Sequence, residues 1–561
     1  MRVPDPAPVV VAGLGPVGAT LALLLARQGV PVLAVEREHE VFPHPRAVAL
    51  DDGALRVLQA AGALDPPGFP LHAGGPVRIA GPTGRTLVEL PPPPADGGHP
   101  ALSFFRQPEL EGRLRALLDA EPLVEVLLRH EVVGVRDEDG HAVVRLVRRS
   151  DDRTSSVRSS WVLACDGGRS GIRRDRGLRL VGRTSGHRWL VVDGTTPPGT
   201  DPAFTFVCDP RRPWVHGPLP GGRHRWEFLL TAEEGRDGSP EDLASRLLGE
   251  RVPGGGPAVA RASVYVFHAR IAPRLRAGRV LLAGDAAHLA PPFAGQGLGA
   301  GLRDVHNLAW KIAAVEQDGR PERLLRSYAR ERLPHVLTTT ALAVGLGALV
   351  QVRRGRAARV RDAVLTRLAG SARVQAWIRA GGWRPPGRVG GTLVAGRADH
   401  RAGLPLPQPD VVTPDGRTVP LDALLGAGWA VVIVDDVGAA GTTSSATGPV
   451  SRRPASPAAP VVVQLGPSGT ADDDGVLRAW LAPASAALVR PDRVVFGTTD
   501  AAGLPDLCLR ADRALGVPRD RRRTPGAPCS GRGAAASVGA AGTGPPDSGT
   551  TPPTGEPTPG T

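Results

Sequence analysis

The chain opens with two continuous apolar runs separated by a helical pattern. Residues 8–12 and 32–35 are apolar throughout, which predicts two buried parallel strands. The apolar positions of residues 16–28 recur at helical spacing, and Gly29 follows as a C-terminal stop. This strand–helix–strand unit predicts an α/β domain with a parallel sheet.

Helical and strand-like patterns then alternate along the chain. Helical periodicity returns over residues 46–62 and 107–120, and residues 302–380 are also helical in pattern. Residues 123–165 alternate apolar and polar positions, as antiparallel strands do, and residues 187–268 are mostly strand-like. A β-rich segment therefore interrupts the α/β domain.

The pattern changes near residue 390. Short apolar runs at 430–434, 461–465 and 494–497 predict the strands of a small third domain, with a loop over 437–459. We predict five regions, which are an α/β domain in two parts (1–185 and 271–385), an inserted β-rich domain (186–270), a third domain (390–515) and a disordered tail (516–561).

Composition excludes several classes of protein. The net charge of +13 comes almost entirely from arginines that are spread along the chain, and Lys311 is the single lysine, so we expect no nucleic-acid partner. The four cysteines lie far apart, which predicts neither a metal site nor a disulfide framework. The longest apolar run, residues 341–350, is too short to span a membrane, and no signal peptide is recognisable. We therefore expect a cytoplasmic protein without a membrane partner.

Gly13-x-Gly15-x-x-Gly18 lies between the first strand and the first helix. Glycines at this spacing permit a tight turn and a close approach of the backbone to a pyrophosphate at the helix N-terminus. Glu36 ends the second strand about 20 residues later, where a carboxylate binds ribose hydroxyls. Because Glu36 would repel a 2′-phosphate, this half of the site predicts FAD or NAD.

A second cofactor signature extends from Gly284 to Gly297. Asp285 follows an apolar strand, and the alternate glycines that come after it open a helix. The carboxylate can accept hydrogen bonds from the ribityl chain of FAD, and the helix N-terminus matches the negative charge of a reduced flavin. Two signatures so far apart predict one long dinucleotide bound at both ends, which indicates FAD. The glycines are Gly295, Gly297, Gly299 and Gly301.

These motifs, together with Asp166-Gly167, resemble those of the FAD-dependent aromatic-ring monooxygenases of the p-hydroxybenzoate hydroxylase type. The resemblance extends over residues 8–515 and is closest to the 3-(3-hydroxyphenyl)propionate hydroxylase branch, although polyketide hydroxylases share most of the motifs. It implies an α/β fold with a Rossmann-like FAD-binding domain of the glutathione-reductase type, an inserted β-rich substrate domain and a C-terminal thioredoxin-like domain. The residues behind the closer match are Pro45-Arg46-Ala47, Arg225-Trp226-Glu227-Phe228 and Gly301-Leu302-Arg303-Asp304.

The resemblance also implies roles for individual residues. Pro292 matches a proline beside the flavin C4a position, and Leu298 and Gly299 match backbone amides that face flavin O2. Gly299 stands where many relatives have asparagine, so that side-chain contact is absent. The other residues that the resemblance and the motifs assign to the FAD site are Pro16, Val17, Arg37, Arg46, Gln107 and Asp166.

The implied reaction uses NADPH or NADH to reduce FAD, and O2 then forms a C4a-hydroperoxide that hydroxylates an aromatic small molecule. Tyr265 and His44 are our candidates for the acid or base that acts on a substrate hydroxyl. Other candidates are His216, His224 and His268 for proton transfer and Arg211, Arg212 and Arg225 for a substrate carboxylate, whereas Tyr328 and Trp310 fit the core better.

Several alternatives remain open from the sequence. A tailoring hydroxylase of an aromatic polyketide or antibiotic would carry the same cofactor motifs, and a non-catalytic FAD-binding protein would keep them without turnover. The third domain lacks a CxxC pair, so we expect it to be structural. The sequence leaves open whether the protein forms a homodimer.

Overall fold

The computed structural model describes residues 7–94, 97–234, 238–252, 258–385, 387–396, 398–434, 460–466, 470, 472 and 475–516. The first sheet is built on the strand Ala7–Ala12, which pairs in parallel with Val32–Glu36 on one side and with Thr154–Ala164 on the other. Val124–Leu128 and Val280–Leu282 extend it in parallel at either side. The antiparallel strands are His130–Glu138, His141–Arg148 and Arg276–Ala277.

Helices cover the centre of the first sheet. Pro16–Arg27 begins with proline at its first turn and packs against Gln107–Ala120 and Gly297–Glu316. Val9, Val10 and Val11 are fully buried, as expected of a parallel strand enclosed on both faces. The predicted strand–helix–strand unit and the helix at 107–120 are confirmed.

Residues 46–62 do not form one helix. Ala49–Leu50 is a short strand that pairs with Ser103–Phe105, which also pairs with Leu71–Ala73. The helix covers only Asp52–Ala60, and Asp51 caps it by accepting a hydrogen bond from the amide of Ala54 at 2.8 Å. Our helix prediction was therefore wrong for residues 46–51, because the tertiary pairing of this segment outweighs its periodicity.

The second sheet has eight strands, and most of them come from the β-rich segment. Three of the strands come from outside residues 186–270, namely Val77–Ala80, Thr86–Leu90 and His288–Leu289, and the helix Pro240–Arg251 interrupts a segment predicted as strand. The outer face of the sheet is covered by this helix, which packs against Trp226 and other apolar residues. The remaining strands are Val181–Thr195, Phe204–Val207, Trp214–Leu219, Arg223–Leu229 and Val259–Ile271.

The helical region predicted at 302–380 is confirmed as four helices, Gly297–Glu316, Arg326–Val350, Gly355–Ala369 and Ala372–Arg379. Within the described part of the chain, Glu322–Val350 is the one helical segment long and apolar enough to cross a membrane, judged by length and composition alone. The apolar 18-residue stretch within this segment is 39% buried, and core helices of globular proteins also have this length and composition. The absence of a membrane partner stays a prediction.

The main sheet of the third domain contains the three predicted strands and one that the sequence pattern did not show. Its four-stranded sheet has the order Val461–Leu465, Ala430–Val434, Ala486–Val489 and Val495–Thr499, of which the first pair is parallel and the others antiparallel. The predicted loop at 437–459 and nearly all of the predicted tail lie outside the described residues. The smaller elements are Asp410–Val412, Thr418–Pro420, Asp422–Leu425, Val476–Leu481 and Leu504–Leu515.

Candidate active site

The glycine loop connects the central strand of the first sheet to the helix Pro16–Arg27. Gly13 has a φ of +92°, which favours glycine, and its amide donates to the carbonyl of Val35 at 2.8 Å. A Cβ atom on Gly18 would lie 1.9 Å from the carbonyl oxygen of Gly13, whereas a Cβ on Gly15 would meet no atom within 4 Å. Gly18 therefore serves close packing, and Gly15 leaves open space in front of the helix N-terminus.

Glu36 lies at the opening of the glycine loop. Its carboxylate accepts hydrogen bonds from the amide of Leu14 at 2.7 Å and from the amide of Glu38 at 2.9 Å. These contacts hold the carboxylate where the two strand ends meet, which is the position expected for binding ribose hydroxyls. Arg37 is exposed and pairs with Glu38 at 3.3 Å.

The second cofactor motif meets the first at the carboxyl ends of the strands. Cβ atoms built on Gly284 and Gly301 would lie 3.0 and 2.7 Å from the side chain of Val17, so the turn, the long helix and the glycine loop are in close contact. The side chain of Asp285 is open to the cleft between them, and the protein around it raises its pKa by desolvation. An uncompensated carboxyl in this position is suited to accept hydroxyl hydrogen bonds.

A buried ionic group that the sequence analysis missed supports this turn. Asp304 accepts hydrogen bonds from the amide of Gly284 at 3.2 Å and from His288 at 2.6 Å, and it pairs with Arg332 at 2.9 Å. Burial would raise the pKa of Asp304, but His288 and Arg332 hold it down to about 2. The motif Gly301-Leu302-Arg303-Asp304 contained the signal, but its histidine and arginine partners are distant in sequence.

The turn from Pro292 leads directly into the long helix. Pro292–Ala294 is a 3-10 turn, Gly295 follows with a φ of +63°, and the helix begins at Gly297. The first amides of an α-helix lack intrahelical acceptors. The amides of Gly297, Leu298 and Gly299 therefore form a positive helix terminus beside an exposed Pro292.

Asp166 and Gln107 occupy the sides of the same cleft. Asp166 Oδ2 accepts from the amide of Ile172 at 3.2 Å, whereas Oδ1 is buried and has no partner among the described residues. The side-chain oxygen of Gln107 accepts from the amides of Arg46 and Ala47 at 3.0 and 2.9 Å, so it positions the loop that carries Arg46.

The site fits FAD. The space before Gly15, the unpartnered Asp166 oxygen, Glu36, Asp285 and the helix terminus at Gly297 are the acceptors and donors that its pyrophosphate, ribose, ribityl chain and flavin ring require.

The inner face of the second sheet lies above the turn at Pro292. Trp189 and Phe267 pack on Phe293, with ring centroids 5.5 and 5.8 Å from that of Phe293. Leu229 belongs to the same cluster. Because side chains alternate along a strand, Arg225 and Glu227 share the inner face with Leu229. Tyr265 pairs in register with Trp189 and lies on the same face.

Charged groups on this face pair with one another and with the loop that carries Arg46. Arg225 makes two hydrogen bonds to Asp193 at 2.7 and 2.8 Å and donates to the carbonyls of Pro45 and Arg46. Arg261 donates to the hydroxyl of Tyr265. Glu227 has no hydrogen-bond partner in the described part of the chain, and burial raises its pKa.

The other polar candidates are placed less favourably. His216 and His224 lie on the outer face between Trp214 and Trp226, and burial lowers their pKa values to about 4 and 3. Both histidines are core residues, which the sequence did not distinguish from site residues. Arg212 is paired with Glu234 at 2.7 Å and Arg225 with Asp193, so neither has a free charge for a substrate carboxylate.

The remaining candidates divide between surface and core. His44 is exposed beside Phe42, Arg211 is exposed, and Thr184 lies 3.0 Å from His268. Tyr328 is fully buried and donates to the carbonyl of Leu282 at 2.8 Å, and Trp310 is 2% exposed, so both are core residues as expected.

The site has the features of an FAD-dependent oxidoreductase, namely the glycine loop, Glu36, Asp285 and the Pro292 turn. Residues 6–343 match the family model described as FAD binding domain, and residues 403–514 match the one described as HcaD C-terminal domain. The chain therefore belongs to the FAD-binding family of flavin-dependent aromatic monooxygenases, which confirms the resemblance and the cofactor predicted from the sequence.

Curated relatives include 3-(3-hydroxy-phenyl)propionate/3-hydroxycinnamic acid hydroxylases. The protein of Burkholderia cenocepacia (strain HI2424) is 34% identical over 513 residues, which cover 88% of this chain and 94% of the relative. That of Escherichia coli O81 (strain ED1a) is 34% identical over 517 residues, which cover 87% and 91%.

Solved structures share the fold. The flavin-dependent monooxygenase PieE, in complex with FAD and substrate, has a TM-score of 0.73 at 22% identity and covers 92% of this chain and 100% of its own. Aklavinone-11 hydroxylase, in complex with FAD and aklavinone, has a TM-score of 0.69 at 24% identity with the same coverage. At these identities the comparison shows the fold alone.

Proposed function

We propose that the protein hydroxylates a phenolic aromatic substrate similar to 3-hydroxyphenylpropionate, using NAD(P)H and O2. The observation that carries this proposal is the placement of Glu227, Tyr265 and Arg261 on the inner face of the second sheet, above the turn that leads from Pro292 to the helix terminus at Gly297. The 34% identity to phenylpropionate hydroxylases over most of the chain supports the same substrate class.

When bound, FAD would supply the transfer of electrons from NAD(P)H and the activation of O2. The protein's own residues would bind the aromatic ring, exclude water and hold a proton acceptor at the substrate hydroxyl. Trp189, Phe267 and Phe293 provide an apolar wall next to Pro292, which suits both an aromatic ring and a water-free site.

Glu227 is the carboxylate that we assign to the substrate hydroxyl. It lies between Arg225 and Leu229 on the inner face and makes no hydrogen bond or ion pair with another described side chain. A hydroxylated ring becomes more electron-rich when its hydroxyl donates to a base, and a carboxyl with a raised pKa is suited to this task. Tyr265, whose hydroxyl accepts a hydrogen bond from Arg261, adds a phenol hydroxyl to the same cluster.

Replacing Glu227 by glutamine should lower the rate of hydroxylation about 10²-fold, the usual contribution of general base catalysis. The carboxylate acts in its ionised form, so wild-type turnover should rise with pH through the raised pKa of Glu227, and the variant should lose this limb of the profile. The measurement is kcat against pH, with FAD content as a check. Glu89→Gln, which alters an exposed residue of the same sheet that pairs with Arg78, is the matched control. An unchanged pH profile in the Glu227 variant would contradict the assignment.

The C-terminal domain is proposed to be thioredoxin-like. Its strand order, with a parallel first pair and two antiparallel neighbours, supports this assignment, as does the match over residues 403–514. Cys508 is the one cysteine in that range, so disulfide exchange needing two cysteines is excluded there and a structural role is proposed.

The reaction is tested by measuring NADH and NADPH oxidation with a panel of phenols and polyketide aromatics, with the products analysed by mass spectrometry. We expect 3-(3-hydroxyphenyl)propionate to stimulate oxidation and to yield a product heavier by one oxygen atom. Stimulation by polyketide aromatics alone would replace the substrate class by that of a tailoring hydroxylase. A protein that binds FAD but responds to neither group would contradict the proposed function.

A further inference from the structure

A cleft with a strongly cationic lining lies between the loop that precedes Arg46 and the ends of central strands of the second sheet. Phe105 and Leu219 form part of its apolar wall. Four residues that can carry positive charge line it, and they come from four separate segments of the chain, namely His44, Arg106, Arg223 and Arg261.

Two of these guanidinium groups each have one buried donor without a partner among the described residues. The Arg261 side chain is only 10% exposed, and its terminal nitrogens donate to the carbonyl of Pro45 and the hydroxyl of Tyr265, but its Nε has no partner among the described residues. Arg106 pairs with Glu109 through one terminal nitrogen, and its Nε is likewise buried without a described partner. Buried unpaired donors cost free energy, so the described residues leave both guanidinium groups incompletely satisfied.

The cleft contains little negative charge to balance these cations. Asp193 is the one carboxylate among the described lining residues, and Arg225 already engages both of its oxygens at 2.7 and 2.8 Å. Arg261 is 3.8 Å from Asp193, which is beyond hydrogen-bond distance. Arg223 is exposed and makes no ion pair in the part of the chain described. The surplus of guanidinium groups matches an oxyanion, either a carboxylate or a phosphate, which they bind through paired hydrogen bonds.

We propose that this cleft is an anion-binding site, centred on Arg261 and Arg106, for the anionic group of one of the two organic substrates. The group is either the carboxylate of the aromatic substrate or a phosphate of the nicotinamide dinucleotide. The location fits either source, because Arg261 contacts Tyr265, whose strand neighbour Trp189 packs against Phe293 beside Pro292. The proposal rests on the proposed function for its choice of ligands.

The test compares wild-type protein with Arg261→Gln, loaded with FAD. The aromatic probes are 3-(3-hydroxyphenyl)propionate and 3-propylphenol, which has a similar chain without the carboxylate, and the nucleotide probes are NADH and NADPH. Binding of the aromatic probes is measured by the change in the flavin absorbance spectrum, and KM is measured for the nucleotides. Loss of a charged hydrogen bond should weaken one class of anion about 10- to 100-fold.

The two sources give different results. If the site binds the substrate carboxylate, the variant loses affinity for the propionate and keeps that for 3-propylphenol and both nucleotides. If it binds a phosphate, KM rises for the nucleotides with either phenol. Changes below twofold for every probe would overturn the proposal. Arg149→Gln, which alters an exposed arginine in the turn after the strand His141–Arg148, is the control.

A second pair of measurements separates this proposal from the proposed function. If the wild-type protein turns over no phenol, inorganic pyrophosphate is titrated calorimetrically into the wild-type protein and into the Arg106→Gln variant. The Arg106→Gln variant is also used in the first test if Arg261→Gln fails to fold. If the wild type binds pyrophosphate and the variant binds it at least 10-fold more weakly, the anion site is supported even though the proposed function fails. Equal binding, or none, overturns the anion site.

Discussion

Gly18→Ala should yield a protein that is less stable and retains little FAD. The added Cβ would lie 1.9 Å from the carbonyl oxygen of Gly13, and that oxygen belongs to backbone that cannot move aside without opening the glycine loop. Overpacking of this kind costs about 3 kcal/mol or more when backbone must shift. The helix Pro16–Arg27 would also move its N-terminus away from the position that faces the pyrophosphate. The measurements are the ratio of FAD to protein after purification and the midpoint of thermal unfolding.

Gly15→Ala is the matched control, since it changes the same loop by the same methyl group. Gly15 has a φ of −64°, which alanine adopts readily, and its Cβ would meet no protein atom within 4 Å. The apoprotein should therefore unfold within about 0.5 kcal/mol of wild type. Affinity for FAD should nevertheless fall about 10-fold or more, because the methyl group occupies the space through which the pyrophosphate approaches the backbone. Wild-type stability and full FAD content in Gly18→Ala would contradict this account of the loop.

The second large effect is expected at Glu331, in a buried ionic network where the third domain meets two helices. Its carboxylate accepts hydrogen bonds from Lys311 at 2.8 Å, from Arg490 at 2.8 Å and from Asn307 at 2.7 Å. Asp492 pairs with Arg490 at 2.6 Å and completes the balance of two positive and two negative charges. Burial would raise the pKa of Glu331, but Arg490 and Lys311 lower it on balance.

Replacing Glu331 by glutamine should destabilise the protein by about 3–5 kcal/mol, because it leaves an uncompensated positive charge in a fully buried position. Burial lowers the pKa of Lys311 to about 8, so the attraction between Lys311 and Glu331 is present below that pH and is lost above it. The loss of stability should therefore be larger at pH 7 than at pH 9. Urea unfolding at the two pH values measures both effects.

Glu250→Gln provides the comparison, since Glu250 forms an exposed pair with Arg246 at 3.2 Å on a surface helix. Exposed pairs of this kind contribute between zero and about 1 kcal/mol, so this variant should unfold almost as wild type does. If Glu331→Gln were as stable as Glu250→Gln, the buried network would not hold the third domain to the helices.

Much of the cofactor site could be predicted from the sequence because its determinants are local. The turn at Gly13–Gly18, the carboxylate at the end of the second strand and the glycines after Asp285 each occupy a short segment, and the strand ends on which they sit are marked by apolar periodicity. The adjacency of parallel strands then brings these segments together without further information.

The polar side of the proposed substrate site could not be predicted in the same way. The sequence makes Tyr265 a candidate, but it shows Glu227 only within a motif, and it does not exclude His216 and His224, which lie on the opposite face of the sheet. The alternation of a strand shows which residues share a face, but which face points at Pro292 depends on the packing of Trp189 and Phe293, which are distant in sequence.

The sequence by itself determined the parallel sheet, the glycine loop, the choice of FAD and the family, because these depend on spacings within one or two elements. Only the tertiary structure decided that Arg225 is neutralised by Asp193, that Arg261 and Arg106 share one cleft, and that Lys311 is buried against Glu331 and close to Arg490. Glu331 and Arg490, for example, are separated by 159 residues, and pairing at that range follows from how the sheets and helices pack, which no local pattern specifies.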